Sequence, residues 1–190
     1  MAVKKNTVRL IGGQWRGRKI DFPTVEGLRP TTDPIRETLF NWIQPYLSGA
    51  NCLDLYTGSG ALGFEAASRG AKRVLMVEKE ITIIKSLRRN KDILQADQIS
   101  LMKRSALDFL QDIPGDDSER FDVVFLDPPF NLNCLPACTQ KLEQSGWLAG
   151  EAVIYVECER NLDLSFLPDN WLEHRRKTTG QVAYCLYIRE

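Results

Sequence analysis

Three acids in this chain stand where an apolar run stops: Asp54 in "NCLDLYTGSGALG", Glu78 in "RVLMVEKE" and Asp127 in "FDVVFLDPPF". The last is followed by two prolines and an aromatic ring, residues suited to gripping a planar ring that carries an amino group. Such an amine is a poor nucleophile because its lone pair is delocalised into the ring. Hydrogen bonds from it to the Asp127 carboxylate and the Pro128 carbonyl would localise that pair. They would also stabilise the positive charge that develops on nitrogen during attack. Proline stiffens the turn and offers no competing N–H, and Phe130 would stack on the base. Asp-Pro-Pro is equally a strong turn signal, so the tetrapeptide takes chemical meaning only from what lies beside it.

Beside it, in sequence terms, is a glycine loop. Gly58, Gly60 and Gly63 satisfy G-x-G-x-x-G, and Glu78 follows Gly58 by twenty residues. Glycines there let the backbone approach a ligand closely, and a carboxylate at Glu78 can accept both hydroxyls of a ribose. The pattern suits several adenosine-containing cofactors, NAD among them. Asp54, placed ahead of the glycines, disfavours a pyrophosphate at the helix N-terminus and suits a cofactor bearing an ammonium and a sulfonium. That favours S-adenosylmethionine, with Ser105 and Ala106 near its adenine.

These residues need a scaffold that brings strand ends together. From residue 50 the chain alternates: strands at "NCLDLY", "RVLMVE", "ISLMKR", "FDVVFLD" and "EAVIYVEC" are separated by helices at "GALGFEAASRG", "ITIIKSLRRNKDIL", "ALDFLQD" and "CLPACTQKLEQSGW". Ile81, Ile84 and Leu87 are expected to face inward. Such alternation predicts a doubly wound, mostly parallel α/β sheet, whose ligands collect beyond the carboxyl ends of the strands. The tail reads as two further strands around Thr179-Gly180, with "HRRK" at 174–177 as a solvated turn. Ahead of the alternating region, "RPTTDPIRETLFNWIQPYLSG" predicts a helix with Ile35, Leu39, Trp42, Ile43 and Tyr46 on one face. Thr32 or Asp33 would cap it, Pro34 suits its first turn and Gly49 lies beyond its end. "TVRLIGG" and "RKIDFP" predict a hairpin around "GGQWRG". The chain thus divides into a basic hairpin extension, 1–27, and a Rossmann-like domain, 28–190.

Composition sets the outer bounds. The chain has 190 residues and no net charge. No apolar run approaches the roughly 18 residues of a membrane span, and "MAVKKNTVRLIGG" lacks the features of a signal peptide, so a cytoplasmic protein is expected. The five cysteines are scattered, unlike a disulfide framework, and His174 is the only histidine, so no metal site is expected. Charge is unevenly spread: residues 1–40 hold eight basic and four acidic groups, +4 against −4 for the remainder. A basic start on an acidic body suggests contact with a polyanion. Within it, Arg16, Arg18 and Lys19 could bind phosphates, Trp15 could stack on a base or pack beneath the hairpin, and Arg29 could reach cofactor or RNA.

"DLYTGSGALG", "VEKE" and "DPPF" resemble motifs of the methyltransferases that modify exocyclic nitrogens of nucleic-acid bases. With "IGGQWRGRK", "GLRPTTDPIRETLFNWI", "SGWLAGEAVIYVE" and "GQVAYCLYIRE", the chain from about Val8 to Glu190 resembles the RsmD family of bacterial 16S ribosomal RNA guanine-N2 methyltransferases. The resemblance implies a class I S-adenosylmethionine-dependent fold of seven strands, closed by a C-terminal hairpin. It implies methylation of one guanine of the small ribosomal subunit, by a monomer acting on 16S ribosomal RNA or the particle. Asp127, Pro128 and Phe130 would form the target-base site, and Asp54, Gly58, Gly60 and Glu78 the cofactor site. Ser105 departs from the family, where Asp or Asn is frequent. The residues themselves leave open an adenine-N6 methyltransferase of DNA or RNA, which would use the same "DPPF". A non-catalytic RNA-binding assembly factor is the reading from another class. In every case a base held in a helix must be unpaired or flipped out to reach Asp127.

Overall fold

In the computed structural model, the described residues are 5–25, 27–28, 30–130 and 134–190. The chain opens with β1 (Lys5–Arg9) and β2 (Lys19–Pro23), an antiparallel pair joined through a short 3-10 turn at Gly13–Trp15. Helix α1 (Asp33–Leu47) follows. The alternating region is β3 (Asn51–Asp54), α2 (Ala61–Ser68), β4 (Arg73–Glu78), α3 (Ile81–Leu94), β5 (Ile99–Lys103), α4 (Ala106–Phe109), β6 (Phe121–Leu126), α5 (Leu135–Gln144) and β7 (Leu148–Glu159). It ends in β8 (Trp171–Thr179) and β9 (Val182–Arg189).

The main sheet has seven strands in the order β5-β4-β3-β6-β7-β9-β8. Strands β3 to β7 run parallel, and β9 is antiparallel to both its neighbours, inserted between β7 and β8. The doubly wound sheet with a C-terminal hairpin expected from the alternation is present. Two apolar clusters lie on its two faces, and alternate strand residues divide between them. Val123 and Phe125 of β6, with Val153 and Tyr155 of β7, join the cluster beneath α1, α2 and α3. Val124, Leu126, Ile154 and Val156 join the one beneath α4 and α5.

The β1–β2 hairpin is welded to the first of these clusters through Val8, Leu10, Trp15, Ile20 and Phe22. Its buried fastening is ionic. Glu65 of α2, fully buried, accepts from the Ile11 amide at 2.9 Å and from Arg69 Nε at 2.7 Å. Arg36 of α1, also fully buried, donates to the Arg9 carbonyl at 2.9 Å and lies 3.6 Å from Glu65. On the other side Asn90 of α3 pairs with the Asp21 backbone in both directions.

Three local expectations differ. Helix α1 buries Phe40, Leu47 and Arg36 along with Ile35, Leu39 and Ile43, whereas Tyr46 is exposed, because the buried face follows the hairpin and α2 as well as the sheet. Ile81, at the first turn of α3, is exposed, and Ile83 takes the inward place beside Ile84 and Leu87. "HRRK" is no turn: it lies within the edge strand β8, which is exposed at every residue beyond Trp171. No helix among the described residues is long and apolar enough to cross a membrane.

Candidate active site

Alternation along the strands places four acids on one face, at the carboxyl ends of four neighbouring strands. Glu78 follows the face of Val74 and Met76, Asp54 that of Cys52, Asp127 that of Val123 and Phe125, and Glu157 that of Val153 and Tyr155. This is the edge where a doubly wound sheet gathers ligands.

The first pair belongs to the glycine loop. Gly58 and Gly60 have φ of 49° and 84°, a region that glycine enters without strain. Around Gly63 the space is tight: a Cβ there would lie 3.0 Å from Asp54 Oδ2 and from Met76, so glycine permits α2 to sit close on the strands. Asp54 Oδ2 accepts from the Gly63 amide at 3.0 Å, which ties the end of β3 to the first turn of α2. Asp54 is buried, and desolvation raises its carboxyl to about 7, against the Gly63 bond that lowers it and with the Glu78 charge adding to the rise. A cation nearby would favour its ionised form. Glu78 is half-buried; its two oxygens accept from the amides of Gly58 at 3.1 Å and Glu80 at 2.9 Å. A carboxylate has about four lone-pair positions, so Glu78 can still accept from the two hydroxyls of a ribose. The residues present therefore fit the nucleoside part of S-adenosylmethionine.

Ser105 and Ala106 close this end. Ser105 is the N-cap of α4: its hydroxyl accepts from the Asp108 amide and donates to the Asp108 carboxylate at 2.6 Å. Its side chain is thereby turned onto its own helix.

The second pair lies one strand further along. The parallel register pairs Leu126 with Val156, and one residue on it sets Asp127 beside Glu157. Thr31, in the segment between the hairpin and α1, donates to Asp127 Oδ2 at 3.2 Å, and its hydroxyl also favours the ionised form of Glu157. Tyr155 donates to Glu157 Oε2 at 2.7 Å. Burial raises both carboxyls, and for Asp127 the neighbouring Glu157 charge raises it further. Pro128 is buried, Phe130 half-buried, and with Pro129 they line a cleft of about 200 Å³ whose far wall carries Glu157, Leu135 and Leu162.

The hairpin reaches this pair through Thr31. A groove of about 450 Å³ runs between Thr7, Val8, Arg9 and Lys19 on the hairpin and Pro30, Thr31, Thr32 and Asp33. Arg16, Arg18 and Lys19 are exposed. Trp15 is not a stacking platform: it is buried in the core, its amide donating to Ser68 Oγ at 2.9 Å, because the 3-10 turn packs onto α2. Arg29 lies outside the described residues.

Sequence reading singled out Asp54, Glu78 and Asp127 and passed over Glu157, Thr31 and Tyr155. The signal for Glu157 is present in "EAVIYVEC", a carboxylate at the end of an otherwise apolar strand, as Asp127 is in its own.

A family model described as "Conserved hypothetical protein 95" matches residues 8–188. The "Ribosomal RNA small subunit methyltransferase D" of Escherichia coli strain K12 is 46% identical over 183 residues, covering 96% of this chain and 90% of the relative. The protein of the same name from Haemophilus influenzae is 45% identical over 185 residues, covering 96% and 94%. Among solved structures, Escherichia coli YhhF superimposes with a TM-score of 0.86 at 45% identity, covering 97% of this chain and 99% of that one. A Thermus thermophilus 16S rRNA N2 G1207 methyltransferase, solved with AdoMet and guanosine, shares the fold at a TM-score of 0.72 and 17% identity, over 100% of this chain and 52% of that one. With a family match spanning nearly the whole chain and such relatives, this protein belongs to the RsmD family of S-adenosylmethionine-dependent small-subunit ribosomal RNA methyltransferases.

Proposed function

We propose that the protein methylates the exocyclic N2 of one guanine in 16S ribosomal RNA. The observation that carries this reading is the placement of the Asp127-Pro128-Phe130 turn on the strand next to the glycine loop, with Pro128 and Phe130 lining a cleft of about 200 Å³. S-adenosylmethionine supplies a methyl group on a sulfonium. Glu78 holds the ribose hydroxyls, and Asp54 offers a carboxylate to the cationic end of the cofactor.

On the substrate side the target base is flipped out and stacks on Phe130. Its amine donates to Asp127 and to the Pro128 carbonyl, which turns the nitrogen lone pair toward the methyl carbon. As the N–C bond forms, nitrogen becomes cationic; bound S-adenosylmethionine would supply the methyl group and keep the C–S electron pair on sulfur. Asp127 stabilises that charge and, with its carboxyl raised by burial, takes the proton that nitrogen then loses. Lys19 lines the groove that leads to Thr31, and with the exposed Arg16 and Arg18 of the same hairpin it would hold flanking phosphates. The test is incubation with labelled S-adenosylmethionine and small ribosomal subunits lacking the modification, followed by nucleoside analysis. N2-methylguanosine is expected; N6-methyladenosine would put the adenine reading in its place, and no transfer would leave only RNA binding.

A further inference from the structure

Methyl transfer to an exocyclic amine needs an acceptor for that amine's own hydrogens. Asp127 and Pro128 suffice, and they would serve adenine as well as guanine. Yet the cleft beside them carries a second acid that this chemistry does not require. Glu157 is 6% exposed, lines the cleft with Pro128 and Phe130, and stands beside Asp127 by strand register. Its orientation is fixed rather than incidental: Tyr155 donates to Oε2 at 2.7 Å, and the Thr31 hydroxyl, bonded to Asp127, also favours its ionised form.

A buried acid held by neighbours, with an edge facing a ligand cleft, is costly to keep unless the ligand satisfies it. The two purines differ in what they present there. Guanine carries its N1–H beside its 2-amine, so two donors point the same way. Adenine carries its 6-amine beside an N1 lone pair, an acceptor that would face a carboxylate and be repelled. An adjacent pair of acids therefore matches guanine's edge and opposes adenine's.

We propose that Glu157 reads the purine by accepting the guanine N1–H while Asp127 accepts from the 2-amine, and so sets guanine over adenine. This rests on the base-methylation reading above. A hydrogen bond to a charged acceptor that the wrong base leaves unpaired is a strong discriminator, which fits a residue spent on selection rather than on the transfer itself. Tyr155 and Thr31 act as positioning residues, since they set the carboxylate's direction without meeting the base.

The test uses nucleosides of opposite hydrogen-bonding sense at N1; they also differ at C6, where 2-aminopurine lacks the oxo group, so the comparison of parent with variant isolates residue 157. Guanosine and 2-aminopurine riboside share the 2-amine, but 2-aminopurine has a lone pair where guanine has N1–H. Binding of each, with adenosine as a third probe, is measured by nuclear magnetic resonance titration in the presence of S-adenosylhomocysteine. The parent protein is expected to favour guanosine over 2-aminopurine riboside by about tenfold or more. In Glu157→Gln the amide can turn its N–H toward an N1 lone pair, so that preference should shrink to within about threefold. S-adenosylhomocysteine affinity of the variant serves as the measure that the site is still folded. No guanosine preference in the parent, or an undiminished preference in Glu157→Gln, overturns the assignment. Failure of the base-methylation reading looks different: ribosomal subunits would then yield N6-methyladenosine or no product, whatever residue 157 is.

Discussion

Two pairs of acids sit on adjacent strand ends of the same sheet face, and they are built in opposite ways. Glu78 receives two backbone amides and remains half-open, while its neighbour Asp54 is fastened to the Gly63 amide. These are carboxylates set in backbone donors, with lone pairs left over for hydroxyls. Among the described residues, Asp127 and Glu157 receive side-chain hydroxyls, from Thr31 and Tyr155, and the Glu157 charge pushes Asp127 up. Backbone donors hold an acid still; two neighbouring acids served by side-chain hydroxyls stay short of hydrogens. The first arrangement suits holding a cofactor that leaves unchanged at that point. The second suits taking up N–H donors and then a proton. Position on the sheet makes both ends near neighbours, and the donors around each make them chemically distinct.

If that division is right, the largest effect belongs to the second pair. Asp127→Ala should lower the single-turnover rate of methyl transfer by about 100-fold or more, since the interaction it removes appears only as charge develops on nitrogen. Binding of S-adenosylhomocysteine should stay near the parent value. Equal rates for variant and parent would reduce "DPPF" to a turn and move the chemistry elsewhere.

The reciprocal substitution should do the reverse. Glu78→Ala removes acceptors for the ribose and should weaken cofactor binding by about 1–3 kcal/mol, roughly 5- to 150-fold. At saturating cofactor, the rate of transfer should recover most of its parent value. Calorimetric titration gives the first quantity and single-turnover kinetics the second. A rate that stays low at saturation would mean that the two pairs are not separable.

What the sequence revealed of this division follows from how local each feature is. Glycines at 58, 60 and 63 with Glu78 twenty residues on are tied to one strand, one turn and one helix, so their spacing carries their meaning. Asp127 is marked by the prolines beside it. Glu157 depends on which strand lies next to β6, and pairing at a distance of thirty residues leaves no local trace beyond a lone acid in an apolar run. Thr31 is more remote still, reaching Asp127 across 96 positions. Trp15 shows the same limit in the other direction. Its glycine- and arginine-rich neighbours look like a nucleic-acid contact, but its ring faces α2 and only the cations remain outside. Ser105 does stand at the expected strand end, but its hydroxyl is claimed by the first turn of α4, a competition that short polar residues commonly win at helix starts.

The hairpin provides a contrast that should leave both acid pairs alone. Replacing Arg16, Arg18 and Lys19 with alanine should lower affinity for unmodified small subunits. It should also reduce the salt slope of binding by about 0.7 for each phosphate that is no longer neutralised. Cofactor affinity should not move, because none of the three is among the partners seen for Asp54, Gly58, Gly63 or Glu78. An unchanged slope, read from binding at several salt concentrations, would make these cations a solvated rim.

The smallest effect tests the first pair through protons. Burial lifts Asp54 to about 7, so a good fraction of the cofactor-free protein holds it neutral at pH 7. A carboxyl whose value is raised on folding contributes most to stability below the ordinary carboxylate range, and that contribution is lost as pH rises through 7. A cationic cofactor reverses the balance locally by favouring the ionised acid. Binding near pH 6.5 should therefore release a proton, and affinity should fall on acidification by at most about tenfold per pH unit below 7. Calorimetry of S-adenosylmethionine binding in two buffers of different ionisation enthalpy reads this release directly. A heat of binding that is the same in both buffers would mean that Asp54 keeps its proton with the cofactor in place. Its function would then be confined to the bond with Gly63, and the glycine loop rather than the acid beneath it would account for the preference for a sulfonium.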